Sequence, residues 1–163
     1  IIRFFPETKL GWSNILKKYS SSCIDTSDGI ISSLDQLMRL NNVGFKFRND
    51  WIESIDDESR KIFINFNLPP WLLLAGEHGE FELLFSIPAK SKIDFLKEAH
   101  SSNLKPICLA TATEEKNIKF NLYGKEQKLD TEKIRNLAFE KDFTPSKYLQ
   151  KLMEIDHKMN NLI

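Results

Sequence analysis

Residues 23–40, CIDTSDGIISSLDQLMRL, change from one hydrophobic periodicity to another within a few positions. Residues 22–24 form a short apolar run that is typical of a strand, whereas the residues after Gly29 repeat with helical spacing. The apolar face of this helix comprises Ile30, Ile31, Leu34, Leu37 and Met38. The segment therefore predicts a strand, a loop and a helix in direct succession, which favours a sheet with helices packed against it.

The ends of this helix carry residue types that begin and end helices. Ser27 and Asp28 are favoured at the N-cap, which predicts that the helix begins at the loop. Asn41–Asn42, with Gly44 beyond them, are typical of a helix C-terminus, so we expect the helix to end there.

The rest of the chain mixes strand and helix patterns. Strands are predicted at 43–47, 80–88, 105–113 and 118–123, and helices at 54–65, at 91–100 and from Thr144 onward, with a short helix or turn at 71–76. The strands at 105–113 and 118–123 are expected to form a hairpin across the charged turn EEKN. We therefore expect one domain over residues 1–163 with an α/β (α+β) fold, a mixed β-sheet covered by helices.

Apolar spacing also predicts which side chains face inward. These are Phe81, Leu83 and Phe85 in a strand, Ile93, Leu96 and Ala99 in a helix, and Tyr148, Leu149, Leu152, Met153 and Ile155 in the last helix. The apolar neighbours of Trp12, Trp51 and Trp71 predict that these rings pack in the core or at a domain contact.

The overall charge gives the chain no electrostatic attraction to polyanions. Lysine and arginine number 23, and aspartate and glutamate also number 23, so we expect no nucleic-acid partner and no anionic membrane partner.

The first residues form neither a signal peptide nor a membrane span. Cys23 and Cys108 lack metal or redox spacing, which predicts reduced, buried thiols. Together these features predict a cytoplasmic location.

The loop after the first strand permits two kinds of chemistry. Asp25 and Asp28 supply hard oxygen ligands of the kind that bind Mg²⁺ together with substrate phosphates, while Ser27 and nearby amides could donate to a phosphate oxygen. Alternatively, Ser27 or Asp28 caps the helix and Asp25 forms an Asx-turn. The spacing of these residues leaves both interpretations open.

A second unusual stretch is AGEHGEFELLF at residues 75–85. Its glycines allow close backbone approach, and Glu77 in the turn is the better ligand candidate. Glu80 and Glu82 point away from the inward face of the predicted strand, so we expect them to be solvent-exposed. His78 is expected to be a surface hydrogen-bonding group.

The order of these motifs resembles the C-terminal domain of thiamine-monophosphate kinase. CIDTSDGIISSLDQLMRLNNVGFKF is followed by AGEHGEFELLFSIP and then by KPICLATATEEKNIKF, and the resemblance covers roughly residues 8–122. That family belongs to the superfamily of aminoimidazole ribonucleotide (AIR) synthetase and of hydrogenase-maturation and selenophosphate-synthesising enzymes. The resemblance implies an AIR synthase-related C-terminal domain fold.

The resemblance also implies a set of site residues. Asp25 and Asp28 match magnesium ligands, Ser27 and Gly29 match nucleotide-binding positions, and no catalytic residue is assigned. Glu77 matches the substrate-contacting glutamate only with a two-residue insertion, because the family commonly has GGEDYEL where this chain has GEHGEFEL. The implied cofactor is Mg²⁺, with ATP as a substrate.

The resemblance finally implies partners and a reaction. The family's N-terminal domain forms the dimer and most of the ATP site, so we expect residue 1 to follow such a domain and the full-length protein to be a homodimer. The expected reaction moves the γ-phosphoryl group of ATP to a small phosphorylated molecule, thiamine monophosphate. Two alternatives stay open: another ATP-dependent reaction of the superfamily, of cyclo-ligase or dehydratase type, or a non-catalytic binding or assembly domain.

Overall fold

The computed structural model describes residues 9–76, 81–141 and 143–161, in which helices and strands are mixed along the chain. The α-helices are α1 (Ser13–Tyr19), α2 (Ile30–Asn41), α3 (Asp57–Asn65), α4 (Leu72–Ala75), α5 (Lys92–Ser101), α6 (Thr131–Asn136) and α7 (Pro145–Asn161). The strands are β1 (Ser22–Asp25), β2 (Gly44–Phe47), β3 (Leu83–Ser86), β4 (Ala110–Thr113), β5 (Ile118–Leu122) and β6 (Lys125–Lys128). The expected mixture of helices and sheets is confirmed. No helix among the described residues is long and apolar enough to cross a membrane.

The described strands form two sheets. One has four strands in the order β4-β2-β5-β6, with β2 and β5 parallel and the other neighbours antiparallel. The other is an antiparallel pair of β1 and β3, in which Asp25 lies opposite Leu83. The predicted hairpin between 105–113 and 118–123 is wrong, because β2 lies between β4 and β5.

The hairpin that does form joins β5 to β6. Its two turn residues, Tyr123 and Gly124, have φ angles of 54° and 78°, as a type I′ turn requires. The sequence analysis has no strand at 125–128, because the residues KEQK carry no hydrophobic alternation. Pairing with β5, rather than hydrophobic pattern, fixes this strand.

The main core lies between the four-stranded sheet and helices α2, α4, α6 and α7. Phe47 of β2 stacks on Phe120 of β5 with ring centroids 3.7 Å apart, and Trp51 meets Phe120 edge-on at 4.9 Å. Trp71 is 1% exposed. The predicted apolar face of α2 is confirmed, since Ile31, Leu34, Leu37 and Met38 are buried and Ile30 packs against the same cluster.

A second, smaller core lies on the other face of the two-stranded sheet. Ile15 and Leu16 of α1 and Phe95 of α5 are buried there, with partly buried side chains around them: Trp12, Tyr19, Leu83, Phe85, Ile87, Leu96 and Leu104. Ile24 and Leu84 instead pack against the main core. The β1–β3 sheet therefore separates two hydrophobic clusters and contributes side chains to both.

Several predicted faces and boundaries are wrong in detail. Helix α3 begins at Asp57 rather than Ser54, because Asp56 Oδ1 accepts a hydrogen bond from Ser59 N at 2.9 Å and caps it. Ile93 is 68% exposed, and Phe95 takes its place in the core. The remaining corrections concern exposed side chains that were expected inside: Phe81, Leu149, Cys23 and Cys108.

A buried carboxylate joins α2 to α6. Asp35, whose side chain is 3% exposed, accepts hydrogen bonds from Thr131 Oγ1 at 2.7 Å, from Arg39 Nε at 2.9 Å and from Arg135 Nη1. Burial alone would raise the pKa of Asp35, but these hydrogen bonds outweigh it and hold the pKa below its usual value. The carboxylate therefore stays ionised in the folded protein at neutral pH.

We expect Asp35→Asn to lower the free energy of unfolding by about 2–3 kcal/mol at pH 7, because charge-assisted hydrogen bonds are lost from a buried site. Since the folded pKa is depressed, the contribution of Asp35 is present above the unfolded pKa of about 4 and is lost as pH falls through the folded pKa. Urea unfolding between neutral and acid pH should show the wild type and the variant converging. Asp94→Asn, on the exposed surface of α5, is the matched control. A constant gap down to the acid limit would contradict this account.

A second buried carboxylate anchors α7. Asp156 Oδ1 accepts hydrogen bonds from Trp71 Nε1 and from Tyr123 OH, both at 2.6 Å. Burial and the hydrogen bond to Asp156 raise the pKa of Tyr123, so this phenol stays protonated. Through these bonds α7 is tied to the residue that precedes α4 and to the β5–β6 turn.

Candidate functional site

The loop between β1 and α2 is organised around the side chain of Asp25. Ser27 N and Ser27 Oγ both donate to Asp25 Oδ1, at 3.0 and 2.5 Å. These bonds, from the hydroxyl first and the amide second, lower the pKa of Asp25. The exposed carboxylate is ionised at neutral pH and forms an Asx-turn, which belonged to one of the two interpretations of this loop.

Helix α2 begins without a side-chain cap. The N-cap residue is Gly29, and no side chain accepts a hydrogen bond at this end, so the prediction that Ser27 or Asp28 caps the helix is wrong. The Ser27 hydroxyl donates its hydrogen bond to Asp25 Oδ1 instead. The loop is closed instead by Gly29 N donating to Thr26 O at 2.9 Å and by Ser33 Oγ donating to Asp25 O at 2.9 Å.

Gly29 brings this loop against the second unusual stretch of the sequence. It has a φ of 87° and a ψ of 154°, a conformation that is essentially limited to glycine. A Cβ at Gly29 would lie 2.3 Å from the carbonyl oxygen of Gly76, which follows α4. The D-x-S-D-G loop and the start of the glycine and glutamate turn are thus in backbone contact, which the order of motifs in the sequence suggests but does not establish.

Thr26 provides a further link between the two stretches. Thr26 N donates to Glu82 O at 3.0 Å, and Glu82 N donates to Thr26 Oγ1 at 3.1 Å. Thr26 is 2% exposed. The sequence analysis did not single it out, because a threonine in the loop sequence DTSD matches no hydrophobic periodicity or ligand motif. Its hydroxyl extends the β1–β3 pairing into the loop.

The segment on the other side of the loop is held in place by α7. Tyr148 OH donates to Ala75 O at 2.9 Å, one residue before Gly76. Because Trp71 is bonded to Asp156 as well, both ends of the α4 segment are fixed by the last helix. Phe143 lies beside Tyr148, with ring centroids 5.6 Å apart.

The predicted site residues fall into two groups. Asp25, Ser27, Asp28 and Gly29 lie together in the loop. Glu77 lies outside the described residues, as do His78, Gly79 and Glu80. The predicted exposure of Glu82 is confirmed, and its carboxylate pairs with Lys9 at 2.8 Å.

The loop offers oxygen ligands for a metal, but not a complete metal site. Asp25 and Asp28 are exposed, and no lysine or arginine among residues 9–76, 81–141 and 143–161 forms an ion pair with either. The same residues contain no group of three metal-binding side chains. This donor set fits Mg²⁺, which binds through one or two carboxylates and completes its shell with water and phosphate oxygens.

Two cavities of the described structure lie away from this loop. One, of about 210 Å³, is lined by residues of β2, β5 and β6, including Lys46, Lys119 and Glu126. The other, of about 280 Å³, lies between β2 and β4 and includes Arg48 and Thr111. Both lie on the four-stranded sheet, where the lysines and glutamate pair with one another.

No family model, curated protein or solved structure matches the chain.

Proposed function

We propose that this chain is the C-terminal domain of an ATP-dependent kinase of the AIR synthase-related superfamily, similar to thiamine-monophosphate kinase. The observation that supports this most is the backbone contact between Gly29 and Gly76, reinforced by the hydrogen bonds between Thr26 and Glu82. The contact packs the D-x-S-D-G loop directly against the first residues of the second motif of the resemblance. A loop that only capped a helix would need neither the Gly29 conformation nor this second segment.

In this proposal the chain binds and orients phosphates rather than forming a covalent intermediate. Mg²⁺ bound to Asp25 and Asp28 would neutralise the charge of the ATP phosphates. The hydrogen bonds from Ser27 lower the pKa of Asp25 and orient its carboxylate. No side chain caps the backbone amides that follow Gly29 at the start of α2. No general base is needed, because a phosphate acceptor is already ionised at neutral pH. Glu77 is the proposed contact to the acceptor, thiamine monophosphate.

The proposed site is shared with a second domain. In the family that this chain resembles, the N-terminal domain forms most of the ATP site and the dimer. We therefore expect the 163-residue chain alone to bind Mg²⁺ and ATP weakly and to show no kinase turnover. A second candidate is a non-catalytic binding or assembly domain, which is favoured by the lack of a group of three metal-binding side chains among residues 9–76, 81–141 and 143–161.

The metal assignment can be tested on the chain itself with Mn²⁺ as a paramagnetic probe. In the presence of a non-hydrolysable ATP analogue, Mn²⁺ should broaden the amide NMR signals of residues 25–30 and of Gly76. Asp25→Asn and Asp28→Asn should each weaken the apparent Mn²⁺ affinity by at least about tenfold, because each removes a charged ligand.

Asp94→Asn is the control for that experiment, because it removes an exposed carboxylate from α5. The control should leave the broadening unchanged. Broadening centred on another segment, or equal broadening in Asp28→Asn and the wild type, would reject the metal site. Phosphate release without a phosphorylated product, in a protein that also carries the N-terminal domain, would favour the cyclo-ligase or dehydratase type of reaction.

A further inference from the structure

The carbonyl group of Ala75 lies between the last helix and the β1–α2 loop. Its oxygen accepts a hydrogen bond from Tyr148 OH of α7 at 2.9 Å. Its carbon lies 3.6 Å from a Cβ built at Gly29, and the carbonyl oxygen of the next residue, Gly76, lies 2.3 Å from the same point. A single peptide unit therefore separates the Tyr148 hydroxyl from the N-cap residue of α2.

Helix α4 is too short to fix the direction of this carbonyl by itself. An α-helix leaves the carbonyl groups of its last turn without an intrahelical partner, and α4 comprises only Leu72–Ala75. A single turn is also unstable in isolation, because nucleation of a helix is unfavourable. Tyr148 OH supplies the hydrogen-bond partner that Ala75 O lacks within the helix.

Burial anchors the side chains of α4 but not the peptide unit that follows them. Leu72, Leu74 and Ala75 are buried in the main core. Gly76 has φ −82° and ψ 152°, and without a Cβ it can adopt many other conformations. A carbonyl that loses its partner at a buried position is costly, and rotation of the Ala75–Gly76 peptide would restore one. Such a rotation would change the packing of this segment on Gly29.

Hydrogen bonds connect Gly29 to the part of the loop that carries Asp25. Gly29 N donates to Thr26 O at 2.9 Å, and Ser33 N donates to Gly29 O at 3.0 Å. Ser33 Oγ in turn donates to Asp25 O at 2.9 Å. A displacement at Gly29 would therefore alter both the turn after Asp25 and the first turn of α2.

We propose that Tyr148 is a positioning residue for the β1–α2 loop. Its hydroxyl holds the Ala75–Gly76 peptide against Gly29, and this contact sets the orientation in which the loop presents the Asp25 carboxylate. The last helix is thereby part of the candidate site, although Tyr148 itself contacts neither metal nor phosphate. The consequence for metal binding rests on the proposed function, whereas the effect on the loop does not.

Hydrogen exchange of the chain without metal or nucleotide measures the effect on the loop. Tyr148→Phe removes the hydroxyl and keeps the ring beside Phe143. We expect the amide of Gly29 to exchange at least about fivefold faster in this variant, because its hydrogen bond to Thr26 O opens more often. Unchanged exchange at Gly29 overturns the proposal.

Tyr123→Phe is the matched control, because it removes another tyrosine hydroxyl that bonds to the fold through α7. Tyr123 OH donates to Asp156 Oδ1 at 2.6 Å, and phenylalanine tolerates the φ of 54° at this position as well as tyrosine does. The control should lower the urea midpoint of unfolding by a similar amount and leave exchange at Gly29 unchanged. Equal acceleration at Gly29 in both variants would show only a general loss of stability and would overturn the proposal.

Binding of Mn²⁺ in the presence of a non-hydrolysable ATP analogue measures the effect on the candidate site. Tyr148→Phe should weaken the apparent Mn²⁺ affinity about threefold, and Tyr123→Phe should bind Mn²⁺ like the wild type. If the wild type shows no broadening at residues 25–30, the proposed metal site is wrong, and exchange at Gly29 alone decides the role of Tyr148. If the wild type binds Mn²⁺ in the loop and Tyr148→Phe binds it equally well, the positioning role is wrong although the metal site stands.

Discussion

Gly29→Ala is expected to lower the free energy of unfolding by about 4 kcal/mol and to detach the β1–α2 loop from α4. The new Cβ would lie 2.3 Å from the carbonyl oxygen of Gly76, and neither backbone can yield without moving an element. The φ of 87° adds strain of about 1–3 kcal/mol for any residue with a Cβ. Urea unfolding measures the stability, and the NMR shifts of Gly76 and Thr26 measure the detachment.

Gly124→Ala separates the two contributions of the Gly29 substitution. Gly124 also has a positive φ, 78°, but no atom lies within 4 Å of a Cβ built there. Gly124→Ala should therefore lower the free energy of unfolding only by the conformational strain, about 1–2 kcal/mol. Equal losses in the two variants would show that the contact with Gly76 contributes nothing. A Gly29→Ala protein of wild-type stability would contradict the loop geometry altogether.

Gly44→Ala is expected to lower the free energy of unfolding by about 4 kcal/mol or more, although Gly44 lies outside the candidate site. A Cβ at this position would lie 1.8 Å from Glu115 O and 2.5 Å from Asn117 O. The turn between β4 and β5 passes directly over the first residue of β2, so alanine would separate β2 from β5. We expect the thermal unfolding midpoint to fall sharply and the near-ultraviolet circular dichroism of the stacked Phe47 and Phe120 to weaken.

Gly11→Ala is the control for Gly44→Ala. The nearest atom to a Cβ at Gly11 is Leu104 Cδ2 at 4.0 Å, an ordinary contact. Its midpoint should therefore match that of the wild type. A Gly44→Ala protein that melts like Gly11→Ala would mean that the 113–117 turn does not cover β2.

Local patterns predicted the strand–loop–helix unit well. The apolar face of α2 and its end at Asn41 depend on spacing and capping within a dozen residues, and both are confirmed. The Asx-turn at Asp25 is local as well, and one of the two interpretations of the loop contained it. The start of α2 was mispredicted because Gly29 is selected by its contact with Gly76, 47 positions along the chain.

The pairings between distant segments could not be predicted from local sequence patterns. Asp35 and Arg135 are 100 residues apart, and nothing in either segment marks them as partners. Strand β2 enters between β4 and β5 because Gly44 lets the 113–117 turn lie across it, whereas the turn EEKN alone favoured a simple hairpin. Thr26 was missed for the same reason, since its role depends on Glu82.

The β1–β3 sheet separates the two hydrophobic clusters, and this position has a consequence for partial unfolding of the protein. Strands β1 and β3 are four residues long each, and an isolated two-stranded sheet is marginally stable in water. Their persistence depends on α1 and α5 on one side and the larger cluster on the other. Partial unfolding of the α1–α5 layer would therefore release β1 as a unit and free Asp25 with it. The stability of the β1–α2 loop therefore depends in part on the packing of the smaller cluster.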